Sequence, residues 1–395
     1  MSEPDEIWFT RCPVPTATGI AADRGTLAAE FAPDGIAVRS LRDAADDERS
    51  DGLPRSHFTH ELTALFREGG NVPALWARSR GEATRVIALT WIEERQSILV
   101  RADSDLRTPE QLRGRRLAVP RHDIAIDFWR AMALHGHAGA LGLAGLTLDD
   151  ARLVEVPGVR QGQWEGELAA LRDGRVDAVY VKGAVAVETA RRYGAEVAID
   201  LDAVPDRRSR VNNGTPRPIT VHQRLLDERP ELVTRFLAVL LDAAEWAAAH
   251  PGDLARILGA ETGAGPDGVA GAYRAGTAGS LGLDLSEERL TLLAEQERFL
   301  YAHGFLPEPV DVAGWADHEP LRRARALRAA RAATAAETTA AETTAAETTA
   351  TATTATAPTP GTSHAPAAPQ PSGTRSPAAG SHAVAPAAGT ASATP

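Results

Sequence analysis

An α/β fold follows from three observations in this 395-residue sequence. Short apolar runs alternate with helix-like stretches from Ile7 to Asp200, the pattern of βαβ units and parallel sheets. The alternation then gives way to a polar segment rich in Asn, Gly and Pro, Arg207 to Pro218, which reads as a crossing back toward the first part of the chain. Long helical stretches follow, and from about Ala329 the composition falls to Ala, Thr, Pro, Ser and Gly with Glu in a short repeat.

The first strand is Ile7–Thr10, and it runs into Arg11-Cys12-Pro13-Val14-Pro15, where Pro13 removes a backbone donor and holds Cys12 extended. A helix over Thr18 to Phe31, broken near Gly25, leads to a strand at Ile36–Leu41 and a charged loop from Arg42 to Arg55. His57 opens a helix-like run to Phe66, and Gly69-Gly70 read as its stop. Strands at Arg85–Trp91 and Gln96–Arg101 precede Thr108-Pro109, an N-cap with proline in the first helical position. The alternation continues as strand Arg116–Val119, helix Ile124–His135, strand Arg152–Val156, helix Trp164–Arg172, strand Asp177–Val181, helix Ala184–Tyr193 and strand Glu196–Asp200. After the crossing come a strand at Ile219–His222 and helices over Pro230–Ala249, Pro266–Ala275 and Ser286–His303. The repeat Ala336-Glu337-Thr338-Thr339-Ala340 recurs through Thr349 with no aromatic or aliphatic periodicity, so it buries too little surface to offset ordering. A helix over these repeats is weakened by the threonine pairs, and residues 329–395 are expected to be a disordered tail.

Hydrophobic residues make up 43% of the chain, enough for a sizeable core, and the net charge of −11 argues against nucleic acid or an anionic membrane as a partner. One cysteine excludes an internal disulfide and a thiolate-rich zinc site. The acidic start, Ser2-Glu3-Pro4-Asp5-Glu6, lacks the basic and apolar regions of a secretory signal, and no apolar run reaches the length of a membrane helix. The expectation is a cytoplasmic monomer without metal or organic cofactor. Neither a phosphate loop nor a dinucleotide fingerprint is present.

Cys12 at the end of a first strand points to the crevice where open α/β sheets bind ligands, although free cysteine also serves as a small packed hydrophobe. Arg67 offers a planar fork that matches two oxygens of an anion, or it is a solvated arginine at a helix end. Gly69 and Gly70 allow backbone N–H groups to approach such an anion, or they only end a helix. His57 is either a proton carrier near neutral pH or a structural histidine. His60 lies close enough to share that role.

Two stretches, Thr108-Pro109-Glu110-Gln111-Leu112-Arg113-Gly114 and Ala170-Leu171-Arg172-Asp173-Gly174, resemble the type II periplasmic solute-binding fold. Cys12-Pro13-Val14-Pro15, His57-Phe58-Thr59, and Arg67 with Gly70 after them, resemble the active-site segments of the aryl-sulfinate desulfinases, and Trp129 falls where that family keeps a tryptophan. The likeness spans about residues 5–320. Arg121–Arg160 and Lys182-Gly183-Ala184 depart from the family pattern, the latter standing where it is richer in aromatics.

The resemblance implies a two-lobed fold with a cleft between the lobes. Lobe I takes residues 1–104 and 207–328, and lobe II takes 105–206. It implies cofactor-independent hydrolysis of 2'-hydroxybiphenyl-2-sulfinate or a related aryl sulfinate to the arene and sulfite, and a functional link to an upstream flavin-dependent monooxygenase. Cys12 and His57 would be catalytic. Arg67, Gly69, Gly70, Trp129 and Thr10 would bind substrate, with Trp129 stacking on the ring or only filling the core. Cys12 would attack the sulfinate sulfur or protonate the ring carbon that bears it. The alternative on the same fold is a solute-binding protein for a sulfonate or other organic anion serving an uptake transporter.

Overall fold

The computed structural model describes residues 6–44, 53–159, 163–274 and 276–354. Ten strands lie among them: β1 (Glu6–Phe9), β2 (Ala37–Ser40), β3 (Leu65–Glu68), β4 (Thr84–Thr90), β5 (Gln96–Arg101), β6 (Arg116–Arg121), β7 (Arg152–Pro157), β8 (Val179–Lys182), β9 (Ala195–Asp200) and β10 (Arg217–His222). They form a five-stranded sheet in the order β2-β1-β3-β10-β4, a three-stranded sheet β8-β5-β9 and a parallel pair β6-β7.

The expectation of purely parallel sheets is corrected at two places. β10 lies antiparallel to both β3 and β4, and β5 lies antiparallel to both β8 and β9. Both strands belong to segments that carry the chain between two cores, so they enter their sheets without the helical crossover that a parallel neighbour requires. β5 buries Ile98, Leu99 and Val100 in the second core. The first crossing therefore lies between Thr90 and Gln96, ahead of the boundary expected at residue 104.

The first core gathers β1, β3, β4 and β10 with the helices Ala17–Asp23, Thr26–Phe31 and Pro230–Ala249. Helix Pro230–Ala249 buries Leu232, Val233, Phe236, Leu237, Leu240, Ala243, Ala244 and Ala247, the spacing of a broad apolar stripe. Phe236 from that stripe stacks on Phe66 of β3 with ring centroids 3.9 Å apart. The second core packs β5, β6 and β8 against helices Phe128–Gly142 and Glu165–Arg172. The first of these starts at Phe128 rather than Ile124 because the Asp127 carboxylate accepts the Arg130 N–H at 3.0 Å and caps it there.

The crossing back is built as the sequence suggested. Asn212 donates to Met132 O at 3.1 Å and to Tyr180 Oη at 2.9 Å in the second core. Asn71, in the first core, donates to Asn212 O at 2.6 Å and to Pro216 O at 2.8 Å. One short segment thus binds both halves through fully buried amides, whose hydrogen bonds are expensive to break.

Helix Glu319–Thr354 runs on through the Ala-Glu-Thr repeats. Residues 329–354 of the expected tail are therefore helical, the high propensity of alanine outweighing the threonine pairs. Leu321 and Ala324 fix the beginning of this helix in the first core, and Arg331 pairs with Glu30 at 2.8 Å. The chain divides into two compact units, Met1–Ala335, which holds both cores, and Ala336–Pro395. Residues 355–395 lie outside the described residues. Among the described residues no helix is long and apolar enough to cross a membrane.

Glu167 is buried at the second core, and burial, aided by the negative Asp127, pushes its carboxyl up to about 7. The folded protein therefore holds a proton that the unfolded chain releases above 4.5. Stability falls as pH rises from that value to about 7, by on the order of 3 kcal/mol. Glu167→Gln is expected to raise the melting temperature at pH 8 by several degrees and to leave it within about a degree at pH 4.5, measured by scanning calorimetry at both pH values.

Candidate functional site

β1 and β3 are parallel neighbours, so whatever follows each of them emerges at the same edge of the sheet. Cys12 follows β1, after Thr10 N–H has bonded Phe66 O at 3.1 Å. A tight turn, Val14 N–H to Cys12 O at 2.8 Å, presents the thiol at that edge, partly exposed and 3.6 Å from Glu68 O. Thr10 donates its hydroxyl to the same carbonyl at 3.0 Å and is buried. It does not line the cavity described below, so the expected substrate contact is corrected: Thr10 supports the cysteine turn from beneath.

Arg67 sits on β3, fully buried, and is not the end of a helix as the run from His57 suggested. Its Nε donates to His57 O at 2.7 Å and its Nη2 to Gly70 O at 3.0 Å. One guanidinium thereby fixes the backbone of both segments that the sequence singled out. Nη1 has no partner among the described residues.

The glycine pair begins a helix instead of ending one, Gly70 being the N-cap of Asn71–Ser79. Asn213 caps that helix, accepting Asn71 N–H on its carbonyl at 2.7 Å and Val72 N–H on Oδ1 at 3.0 Å. The Gly70 N–H makes no hydrogen bond among the described residues. A Cβ on Gly70 would fall 2.3 Å from Asn213 Oδ1, and one on Gly69 would fall 2.5 Å from Arg67 Cζ. Both positions need glycine for close packing, but only Gly70 borders the cavity. The Gly69 N–H is bonded to Pro218 O at 3.3 Å and cannot serve a ligand.

These residues border a cavity of about 170 Å³ between the two cores. Cys12, His57 and Gly70 contribute from the first, and Phe128, Trp129 and Trp164 from the second. Trp129 is half-buried and meets Trp164 edge-on at 5.2 Å, which gives the cavity an aromatic wall. The cavity lining also includes Glu94, Lys182, Asn213 and Arg217, none of which the sequence marks as a site residue. Arg217 begins β10, and because β10 runs against β3, its first residues lie beside the last of β3. No local pattern announces that antiparallel return. Lys182 forms a buried ion pair with Glu94, and its one trace in the sequence is the departure from the family pattern at Lys182-Gly183-Ala184.

His57 borders the cavity with its imidazole held well below its ordinary pKa, first by burial and then by the charges of Arg67, His60 and Arg217. It is thus the neutral base at pH 7, not a resident acid. His60 is buried outside the cavity in the left-handed region, φ 59°, and burial with Arg67 holds it well below its ordinary range as well. Arg67 is pushed down to about 9 by burial, with the Cys12 sulfur opposing the shift and Arg217 adding to it. Among the described residues no three His, Cys, Asp or Glu side chains are grouped to hold a metal ion.

Two lobes, strands that cross between them, and a cavity at the carboxyl ends of β1 and β3 define a type II periplasmic-binding-like fold. Residues 71–253 match the family described as NMT1/THI5 like. Over 358 residues the chain is 28% identical to the 2'-hydroxybiphenyl-2-sulfinate desulfinases of Rhodococcus erythropolis and Rhodococcus qingshengii, covering 80% of this chain and 93% of each relative. A crystal structure of a cysteine-to-serine mutant of the enzyme DSZB in complex with biphenyl-2-sulfinic acid superposes with a TM-score of 0.64 at 25% identity, covering 82% of this chain and 99% of that one. The periplasmic aliphatic sulphonate binding protein SsuA from Escherichia coli shares the fold, with a TM-score of 0.61 at 14% identity, covering 80% of this chain and 93% of that one.

Proposed function

We propose that this protein hydrolyses the carbon–sulfur bond of an aromatic sulfinate, converting the sulfinate and water into the arene and hydrogen sulfite. The observation that carries the reading is the convergence of Cys12, His57 and Gly70 on one aromatic-walled cavity, with Arg67 joining the backbones of His57 and Gly70 behind them. The likeness to the desulfinases supports it. A pyramidal sulfinate presents two oxygens that share one charge. The unbonded Gly70 N–H and the positive field of Arg67 are suited to hold them. The ring lies against Trp129.

In one course the Cys12 thiol gives its proton to neutral His57 and the thiolate attacks sulfur. The aryl group leaves with that proton, and water releases hydrogen sulfite from the thiosulfonate-like adduct. In the other, Cys12 protonates the ring carbon, SO2 departs and is hydrated, and the thiolate is reprotonated from water. The depressed basicity of His57 supports the second course, because burial and the charges of Arg67 and Arg217 disfavour an imidazolium there. The measurement that tests the function is sulfite release from 2'-hydroxybiphenyl-2-sulfinate and from benzenesulfinate by the purified chain. Turnover is expected with at least one of them. Stoichiometric binding of sulfonates with no sulfite from any aryl sulfinate would instead give the solute-binding reading that the SsuA-like fold also supports.

A further inference from the structure

Arg217 is 3% exposed, and its Nε and Nη1 have no hydrogen-bond partner among the described residues. A guanidinium buried without a counter-ion is costly, and such a group is retained where a ligand completes it. Three charged side chains meet around one glycine beside it. A Cβ built on Gly214 would lie 3.2 Å from Lys182 Nζ, 3.4 Å from Arg217 Nη2 and 3.5 Å from Glu94 Oε1. Lys182 and Glu94 are already paired, with 8% and 1% of their side chains exposed. The cavity wall therefore carries Arg217 and Lys182 with Glu94 as its one carboxylate among the described residues.

The reacting sulfinate brings one negative charge, and Arg67 already serves its end of the cavity, bonded to the backbones of His57 and Gly70. Arg217 is left over, and Lys182 and Glu94 stand with it around Gly214. We propose that Arg217, with Lys182, forms a second oxyanion subsite, so that the preferred substrate is an aromatic sulfinate carrying a ring carboxylate. This rests on the desulfinase reading above and specifies its substrate class. A carboxylate matches the guanidinium fork in a bidentate fashion, which a phenol cannot. With a dianion bound, the charges of Arg67, Arg217 and Lys182 are balanced by Glu94 and the ligand. Gly214 leaves the space between these groups open, and an alanine there would crowd Lys182.

The test compares kcat/KM for benzenesulfinate with that for its 2-, 3- and 4-carboxy derivatives, in wild type, Arg217→Met and Arg217→Lys. Wild type is expected to favour at least one carboxylated substrate over benzenesulfinate by about 30-fold or more. Arg217→Met is expected to collapse that ratio to near one, with Arg217→Lys in between. Equal losses on both substrates would show that Arg217 grips the sulfinate itself, and no preference in wild type would show that the subsite does not exist. Either result overturns the proposal. Calorimetric binding of the same compounds to Cys12→Ser reads the subsite without turnover. If no aryl sulfinate is hydrolysed yet the carboxylated compounds bind at least tenfold tighter and Arg217→Met abolishes the difference, the subsite stands and the desulfinase reading fails.

Discussion

Cys12→Ser is expected to lower sulfite release by at least about a thousandfold while leaving aryl-sulfinate affinity within about threefold. Both courses of the reaction need the thiol, whether as nucleophile or as proton donor, and an alcohol is far less acidic and a weaker nucleophile at neutral pH. The geometry argues that the loss falls on kcat. The Cys12 sulfur lies 3.6 Å from Glu68 O, and a serine hydroxyl there can donate to the same carbonyl. Thr10 holds the turn from below through its own bond to that oxygen. The variant should therefore melt within about two degrees of wild type, so lost activity cannot be put down to misfolding. Steady-state sulfite assays, calorimetric titration and a thermal melt check the three statements. Turnover above a tenth of wild type would remove the thiol from the chemistry.

The parts of this site that were legible in the sequence share one property: they lie in short segments with an unusual residue at a fixed local spacing. Cys12 before Pro13, His57 before Phe58, and Arg67 before the glycine pair are of this kind. Their convergence follows from two adjacent parallel strands, β1 and β3, of which only β1 is marked by the alternating pattern. What those residues do was less legible. Whether Gly69 or Gly70 keeps a free N–H depends on β10, which takes the Gly69 N–H through Pro218 and comes from nearly 150 positions further along the chain. The same return strand brings Arg217, so one antiparallel pairing both withdraws an expected contact and adds an unexpected one. The helix limits failed for a related reason. The run from His57 to Phe66 has helical spacing, but His60 takes a left-handed turn and Leu65 onward pairs with β1, tertiary pairing overriding local preference. Lys182 and Glu94 are distant in sequence: Glu94 lies two residues before β5 and Lys182 ends β8, so the antiparallel register of β5 and β8 brings them together.

Arg67→Lys is expected to reduce kcat/KM for aryl sulfinates by at least about a hundredfold and to destabilise the fold by about 2–4 kcal/mol, although the charge is kept. The guanidinium donates in two directions, to His57 O at 2.7 Å and to Gly70 O at 3.0 Å. A single ammonium cannot span both, so one buried carbonyl loses its donor and one of the two site segments loses its anchor. The glycine pair makes the position stricter. A Cβ at Gly69 would lie 2.5 Å from the guanidinium carbon, so the chain is wrapped against a flat group, and an ammonium would leave a void there. The charge itself is held at a cost, since burial and Arg217 push Arg67 down to about 9. A bound anion offsets that cost, and it does so only in the folded protein. Saturating benzenesulfinate is therefore expected to raise the melting temperature of wild type at pH 7 by several degrees, roughly the effect of 100 times the dissociation constant, about 2.7 kcal/mol. In Arg67→Lys the rise should shrink to a degree or less, because Gly70 no longer faces the ligand from a fixed position. A lysine variant that melts like wild type and is stabilised as much by the sulfinate would mean that Arg67 holds neither the backbone nor the anion field.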